Sequence, residues 1–141
     1  MDDTAPSKNE RSIAAIAHLS SIPFPVFGPI IAYILGSGSR FVRFHALHAL
    51  IGMLLLNTFL FALGAISVIL SIVNLWRQYQ ENFEHFEWWP IIFKSAATWL
   101  ILLLIGTINL VVNFVQAKKA YDGNRFETGL AAKLANRLIR A

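Results

Sequence analysis

Three long stretches of the chain carry no formal charge, and they constrain its fold more than any other feature. Residues 12–39, 44–76 and 95–117 contain no Lys, Arg, Asp or Glu. Each is longer than the ~20 residues that a helix needs to cross about 30 Å of hydrocarbon. Because lipid offers no hydrogen bonds to the backbone, such stretches become helices. We therefore expect an all-α membrane protein.

Composition supports this expectation and excludes several classes of site. Hydrophobic residues make up 56 % of the 141 residues and charged residues only 14 %, against about 25 % charged residues in ordinary soluble domains. The absence of cysteine excludes disulfides, thiolate metal sites and iron–sulfur clusters. The acidic, polar first ten residues do not resemble a signal peptide. We expect a multi-pass protein of a prokaryotic inner membrane.

The segments predict a small bundle of about three transmembrane helices with a C-terminal amphipathic helix. A flexible tail, residues 1–10, precedes a membrane helical domain, residues 11–122, and a basic amphipathic tail, residues 123–141, follows it. The predicted spans within the domain are approximately 13–35, 46–75 and 91–117.

The first predicted span is irregular because Pro23, Pro25 and Pro29 lie near its middle. Proline removes a backbone donor and clashes with the preceding turn, so the helix is kinked or broken there. A kinked continuous span is the first choice, and a re-entrant hairpin is the alternative.

The tail after Gly123, which is a predicted helix stop, has two distinct faces. Leu130, Leu134 and Leu138 share one face, and the other face carries basic residues: Lys133, Arg137 and Arg140. Such a helix is suited to lying on anionic lipid headgroups. The alternative is a helix that docks on the rest of the protein.

The distribution of basic residues predicts the orientation. Short loops rich in Lys and Arg stay cytoplasmic. Arg40 and Arg43 precede the second span, and six Lys or Arg residues follow the third. This places the C-terminus in the cytoplasm and the acidic, aromatic segment 77–88 outside. The side of the N-terminus stays open. The net charge of +4 is thus assigned to membrane anchoring, and no nucleic-acid partner is expected.

Small and polar residues form one stripe on each predicted span. Membrane helices pack through small residues and hydrogen bonds, because lipid tails are as apolar as leucine. We expect the stripes to face one another, although a polar path for a solute is the alternative. The members are Ser21 and Gly28, then Asn57, Gly64, Ser67 and Ser71, then Gly106, Asn109 and Asn113.

The titratable residues offer few candidates for chemistry. Arg40, Arg43, His45 and His48 form a cluster suited to binding lipid phosphate or the acidic surface of a partner. With His18, the two histidines could instead hold a metal or a haem. No paired carboxylates, Ser-His-Asp set or phosphate-binding loop occurs in the sequence. We therefore expect no enzyme activity and no cofactor.

Three short motifs together resemble the bacterial Tic-twenty-like family of small membrane proteins, which is related to a chloroplast inner-envelope import component. They are ERSIAAIAHLS (10–20), FVRFHALHAL (41–50) and AKKAYDGNRF (117–126). The resemblance places Arg40, Arg43, Phe44, His45 and Ala46 in the central motif, and His18 and Ser20 in the first. It implies a helical membrane protein linked to translocation or assembly. His48 departs from the pattern, which has a glutamine-like residue there.

The leading hypothesis is a non-enzymatic membrane component that binds a protein partner or another copy of itself and takes part in assembly or translocation. The alternative is a small channel or carrier, which three spans would form only as an oligomer. A histidine-ligated metal or haem protein is the minor alternative.

Overall fold

The structure, a computed structural model, describes residues 5–81, 87–125 and 129–140. These residues form five helices, and no strand occurs in the described ranges. The helices are α1 (Lys8–Ser20), α2 (Phe27–Leu35), α3 (Arg40–Glu81), α4 (Trp89–Tyr121) and α5 (Leu130–Arg140). The all-helical class predicted from the charge-free stretches is confirmed.

Two of the helices are long and apolar enough to cross a membrane, as judged by length and composition. They are Arg40–Gln80 within α3 and Trp89–Tyr121, which is α4. At 1.5 Å per residue, the 42 residues of α3 extend about 63 Å and the 33 residues of α4 about 50 Å. The first of the three predicted spans is not confirmed, because residues 13–35 do not form one helix.

The first predicted span is instead two short helices joined by a turn. A capping box starts α1: the Ser7 N–H donates to Glu10 Oε2 at 2.7 Å, and the Glu10 N–H donates to Ser7 Oγ at 3.3 Å. The helix ends before Pro23 and Pro25, which lack the N–H that a continuing helix would use. The structure therefore has a helical hairpin where a kinked continuous helix was the first choice.

Local signals also fix the ends of the long helices. The Ser39 hydroxyl accepts a hydrogen bond from the Val42 N–H at 3.4 Å in the first turn of α3. At the end of α4, Gly123 has φ +85°, and the Asn124 N–H donates back to the Lys119 carbonyl at 3.0 Å. This is a Schellman motif, which needs the left-handed conformation that glycine adopts without strain. Gly123 is thus the helix stop that the sequence predicts.

The chain divides into two compact units. The first unit comprises Met1–Leu56 and Asn109–Ala141, and the second comprises Asn57–Ile108. In the first unit, the opening turns of α3 lie at the centre of three apolar clusters. Phe41 packs with Ala14 and Ala120, Ala46 with Ala17 and Ala32, and Phe44 with Ala132 and Ala135 of α5. Alanines at these contacts let the helix backbones approach closely.

The second unit is a pair of helical segments with a narrow shared seam. The half-buried side chains of its α4 segment recur at alternating spacings of three and four residues: Ile91, Ser95, Thr98, Leu102 and Ile105. This is the seven-residue periodicity of a left-handed helix pair. The hydroxyl groups of Ser67 and Thr98 meet across the seam at 3.3 Å.

Some predicted features lie wholly or partly outside the described residues. The acidic, aromatic segment 77–88 is described only at 77–81 and 87–88, where Tyr79 and Trp88 are exposed. Residues 1–4 of the predicted tail and residues 126–128 also lie outside the described part of the chain.

Candidate functional site

Three histidines meet inside the first unit. His18 of α1 and His45 of α3 are fully buried, and His48 is 6 % exposed. His18 Nε2 lies 3.2 Å from His45 Nδ1, so one of these nitrogens carries the shared proton. The ring centroids of His18 and His48 are 5.6 Å apart. The histidines are thus part of the protein interior and join α1 to α3.

Aromatic rings enclose the histidine cluster. Phe41 lies edge-on to His45, with ring centroids 4.6 Å apart. Phe44 lies edge-on to His45 at 5.2 Å and stacks on His48 at 5.9 Å. These four α3 side chains are spaced as i, i+3, i+4 and i+7, which is the spacing of a single buried helix face.

A second polar group continues from the histidine cluster to α4. The Ser21 hydroxyl lies 2.6 Å from the His18 carbonyl and 3.1 Å from Asn113 Oδ1, so its single proton is shared between these two acceptors. Asn113 Nδ2 donates to the Asn109 carbonyl at 3.0 Å. Asn109 Nδ2 reaches Met53 Sδ of α3 at 3.5 Å. We call the set His18, Ser21, His45, Met53, Asn109 and Asn113 the polar network. It ties α1, α3 and α4 together through side-chain contacts.

The predicted interaction cluster at the start of α3 is divided by the fold. The side chains of His45 and His48 are buried beneath α1, where they contact His18. Arg43 is half-buried, its Nε donates to Tyr33 Oη at 3.1 Å, and its guanidinium lies 5.3 Å from the Tyr33 ring centroid. Arg40 is exposed. Of the four residues, Arg40 is thus the one fully presented to a ligand.

The predicted packing stripes are brought together in part. Ser21 meets Asn113 in the first unit, and Ser67 meets Thr98 in the second. Ser71 donates to the Ser67 carbonyl of its own helix at 2.8 Å, and Gly28 is buried against α1.

Three other predicted stripe members, Asn57, Gly64 and Gly106, are not placed at a close helix contact. Asn57 and Gly106 are exposed. A Cβ added at Gly64 or at Gly106 would meet open space. The seam of the second unit passes through Leu102 and Ile105 instead, because bulky residues continue its seven-residue periodicity.

The C-terminal helix α5 packs against α3 within the first unit. Ala132 and Ala135 are fully buried against Phe44, and Ile139 packs beside them. The opposite side shows Leu130 and Leu138, which are 63 % and 54 % exposed. The sequence signal for this packing was the spacing of Ala132, Ala135 and Ile139, which share one helix face. The pattern of leucines and basic residues drew attention to other faces of the helix.

The described residues contain no group of three or more His, Cys, Asp or Glu side chains arranged to hold a metal ion. The His18 ring makes T-shaped contacts with the rings of His45 and His48, and it is hydrogen-bonded to His45. Their geometry therefore favours a structural role over metal or haem ligation.

Comparison with known proteins assigns the family. A family model described as MamF_MmsF, the magnetosome magnetite crystal formation protein family, matches residues 9–135. No curated protein and no solved structure shows significant similarity to the chain.

The family match overturns the resemblance to the Tic-twenty-like family, which rested on three short motifs rich in alanine and phenylalanine. Apolar helices and basic flanks make such motifs alike in unrelated membrane proteins. Since the match covers nearly the whole chain, this bacterial membrane protein belongs to the magnetosome magnetite crystal formation family, MamF/MmsF.

Proposed function

We propose that the chain is a non-enzymatic component of the membrane in which magnetite crystals form, and that it acts by assembling other proteins there. The family match over residues 9–135 carries this proposal. The fold supports a structural role, because buried side chains of different helices contact each other, His18 with His45 and Ser21 with Asn113. In the described residues we find no acid, base and nucleophile set that would support catalysis.

The basic surface of the first unit is the proposed contact for partners. Its exposed cationic side chains lie at the starts of α1 and α3, at the end of α4 and in the segment that follows α4: Lys8, Arg40, Lys118, Lys119, Arg125, Lys133 and Arg137. Such a surface attracts an acidic protein face or anionic lipid. Under the positive-inside rule, α3 and α4 form the two spans and the C-terminus faces the cytoplasm.

A channel or carrier is a weaker interpretation. Two spanning helices cannot enclose a path through a bilayer, so transport would require several copies. The hydroxyl groups of Ser71, Thr98 and Thr107 donate to carbonyls of their own helices, which uses donors that a solute path would need.

Deletion of the gene in the bacterium that encodes it tests the proposal. We expect smaller or misshapen crystals by electron microscopy, and recovery with the wild-type gene. Unchanged crystals would contradict the proposed role.

Two double variants that each remove two positive charges distinguish an effect on partner binding from an effect on folding. Lys133→Gln with Arg137→Gln removes two charges from α5, and Arg77→Gln with Lys94→Gln removes two from the second unit as a matched control. We expect the first pair to restore crystal size poorly and the control to restore it fully. Equal restoration would show that the α5 charges do not contribute to the role.

A further inference from the structure

The helices α1 and α2 run antiparallel and form a hairpin. The start of α1 and the end of α2 lie together at one end, which we call the open end, and the turn lies at the other. Ser20 and Gly28 meet near the turn, where a Cβ on Gly28 would lie 2.6 Å from the Ser20 carbonyl oxygen. Ala17 and Ala32 share an apolar cluster further along. At the open end, hydrogen bonds from the Ser39 side chain and from the backbone and side chain of Ser7 lower the pKa of Glu10.

Charge is distributed unequally between the two ends of this hairpin. Within residues 8–40, the ionisable groups other than His18 and Tyr33 lie at the open end: Lys8, Glu10, Arg11 and Arg40. Residues 12–39 carry no formal charge. At the turn end, Phe24 and Phe27 are 61 % and 71 % exposed. Aromatic side chains so exposed, without a charged neighbour, fit hydrocarbon better than water.

The length of the arms excludes a full crossing. The 13 residues of α1 and the 9 residues of α2 extend about 20 Å and 14 Å, against about 30 Å of hydrocarbon. A non-helical turn at membrane depth is tolerated only where its polar groups have partners. Here the N–H groups of Ile22, Phe24 and Gly28 donate to carbonyls within the turn region, and Pro23 and Pro25 have no N–H.

A groove runs along the hairpin between the two helices. Its volume is about 500 Å³, within the range of small-molecule binding sites. The lining is apolar and extends from the open end to the turn: Ile13, Ile16, Phe24, Phe27, Ile31 and Leu35. The hydroxyl of Ser20, also in the lining, donates to the Ala17 carbonyl.

We propose that the α1–α2 hairpin enters one leaflet from the side of the chain termini, and that its groove holds one acyl chain of a membrane phospholipid. The headgroup then lies at the open end, where Lys8 and Arg40 are exposed and complement its phosphate. An acyl chain fits the groove because the lining is apolar along its whole length and lipid is the solvent at this depth. The inference needs only membrane residence, and it holds or fails independently of the role in magnetite formation.

Single cysteines test the half-insertion directly, since the chain has no native cysteine. Ser7→Cys and Ser37→Cys lie at the open end, and Phe24→Cys lies at the turn. In sealed vesicles we expect a membrane-impermeant maleimide to label positions 7 and 37 from the same side and to leave position 24 unlabelled. Labelling of 7 and 37 from opposite sides, or labelling of 24, would overturn the proposal.

A groove-filling substitution tests the acyl chain. Ile31→Trp places an indole in the groove, and Ile34→Trp is the matched control, since Ile34 is exposed on α2 but does not line the groove. Native mass spectrometry of the detergent-purified protein should show one retained phospholipid. We expect Ile31→Trp to reduce retention at least fivefold and Ile34→Trp to leave it unchanged.

A second variant guards against misfolding. Ile16→Trp fills the same groove from α1 and should also lose the phospholipid, with unchanged helix content by circular dichroism. Absence of retained phospholipid from the wild type, or equal retention in all variants, would overturn the proposal. So would a wild-type dimer that Ile31→Trp dissociates, because a second copy would then occupy the groove.

Discussion

The two units of this protein bury their residues in different ways, although α3 and α4 contribute to both. In the first unit, residues of all five helices are buried, including three histidines and an asparagine. In the second unit, no residue among 57–80 and 87–108 is buried, and large apolar side chains such as Phe61 and Trp99 are 70 % exposed or more. A water-soluble protein would hide these side chains, whereas a lipid bilayer accommodates them.

The contrast shows where interactions within the protein determine stability. Apolar groups gain little by leaving lipid for each other, so the second unit relies on backbone hydrogen bonds and a few polar contacts. The first unit has a close-packed interior in which a missing side chain leaves a cavity. Substitutions of the same type in the two units should therefore differ in cost.

The largest difference is expected between two phenylalanines. Phe44 is 1 % exposed and packs against α5, whereas Phe61 is 79 % exposed. Phe44→Ala should lower the free energy of unfolding by about 3–5 kcal/mol, because it removes a large buried ring, and Phe61→Ala should change it by less than about 0.5 kcal/mol. Denaturant titration in mixed micelles, followed by circular dichroism, measures both. Equal costs would show that the first unit has no packed interior in the membrane.

The polar network gives the next largest effect. His18→Ala removes the contact with His45 and leaves a cavity, so we expect a loss of about 2–3 kcal/mol in the free energy of unfolding. Leu19→Ala is the control on the same helix, because Leu19 is 37 % exposed and does not line the groove. A double-mutant cycle with His45→Ala would give the coupling energy of the pair. Additive effects would mean that the 3.2 Å contact contributes nothing.

A glycine of the first unit and a glycine of the second should also respond differently to substitution by alanine. Gly28→Ala brings a Cβ to 2.6 Å from the Ser20 carbonyl oxygen, so the α1–α2 hairpin must open, at a cost of about 1–3 kcal/mol. Gly106→Ala meets open space and should stabilise α4 by up to about 1 kcal/mol through helix propensity. Thermal unfolding in detergent should move in opposite directions for the two variants. Destabilisation by Gly106→Ala would reveal a close helix contact at that position.

Sequence reasoning succeeded where one physical constraint dominates and failed where tertiary packing decides. Charge-free stretches require helices in lipid, and Gly123 ends one of them because its left-handed conformation favours glycine. The burial of His45 and His48 was missed, since histidine beside arginine is typical of an interface. The spacing of Phe41, Phe44, His45 and His48 held the contrary signal. The proline turn was compatible with a kink or a hairpin, and contacts between α1 and α2 decided it.

The smallest effect is expected at the seam of the second unit, where it tests whether polar contacts matter in lipid. Ser67→Ala removes the 3.3 Å contact with Thr98 and should cost about 0.6 kcal/mol, the average found for hydrogen bonds between membrane helices. Thr107→Val is the control, because its hydroxyl donates within α4 to the Leu103 carbonyl. A double-mutant cycle of Ser67→Ala with Thr98→Val isolates the contact. A coupling energy near zero would mean that the helix pair is held by packing alone. A value above about 1.7 kcal/mol, the upper limit for such bonds, would mean that the seam is a second site of tight polar packing and that the contrast between the two units is one of degree.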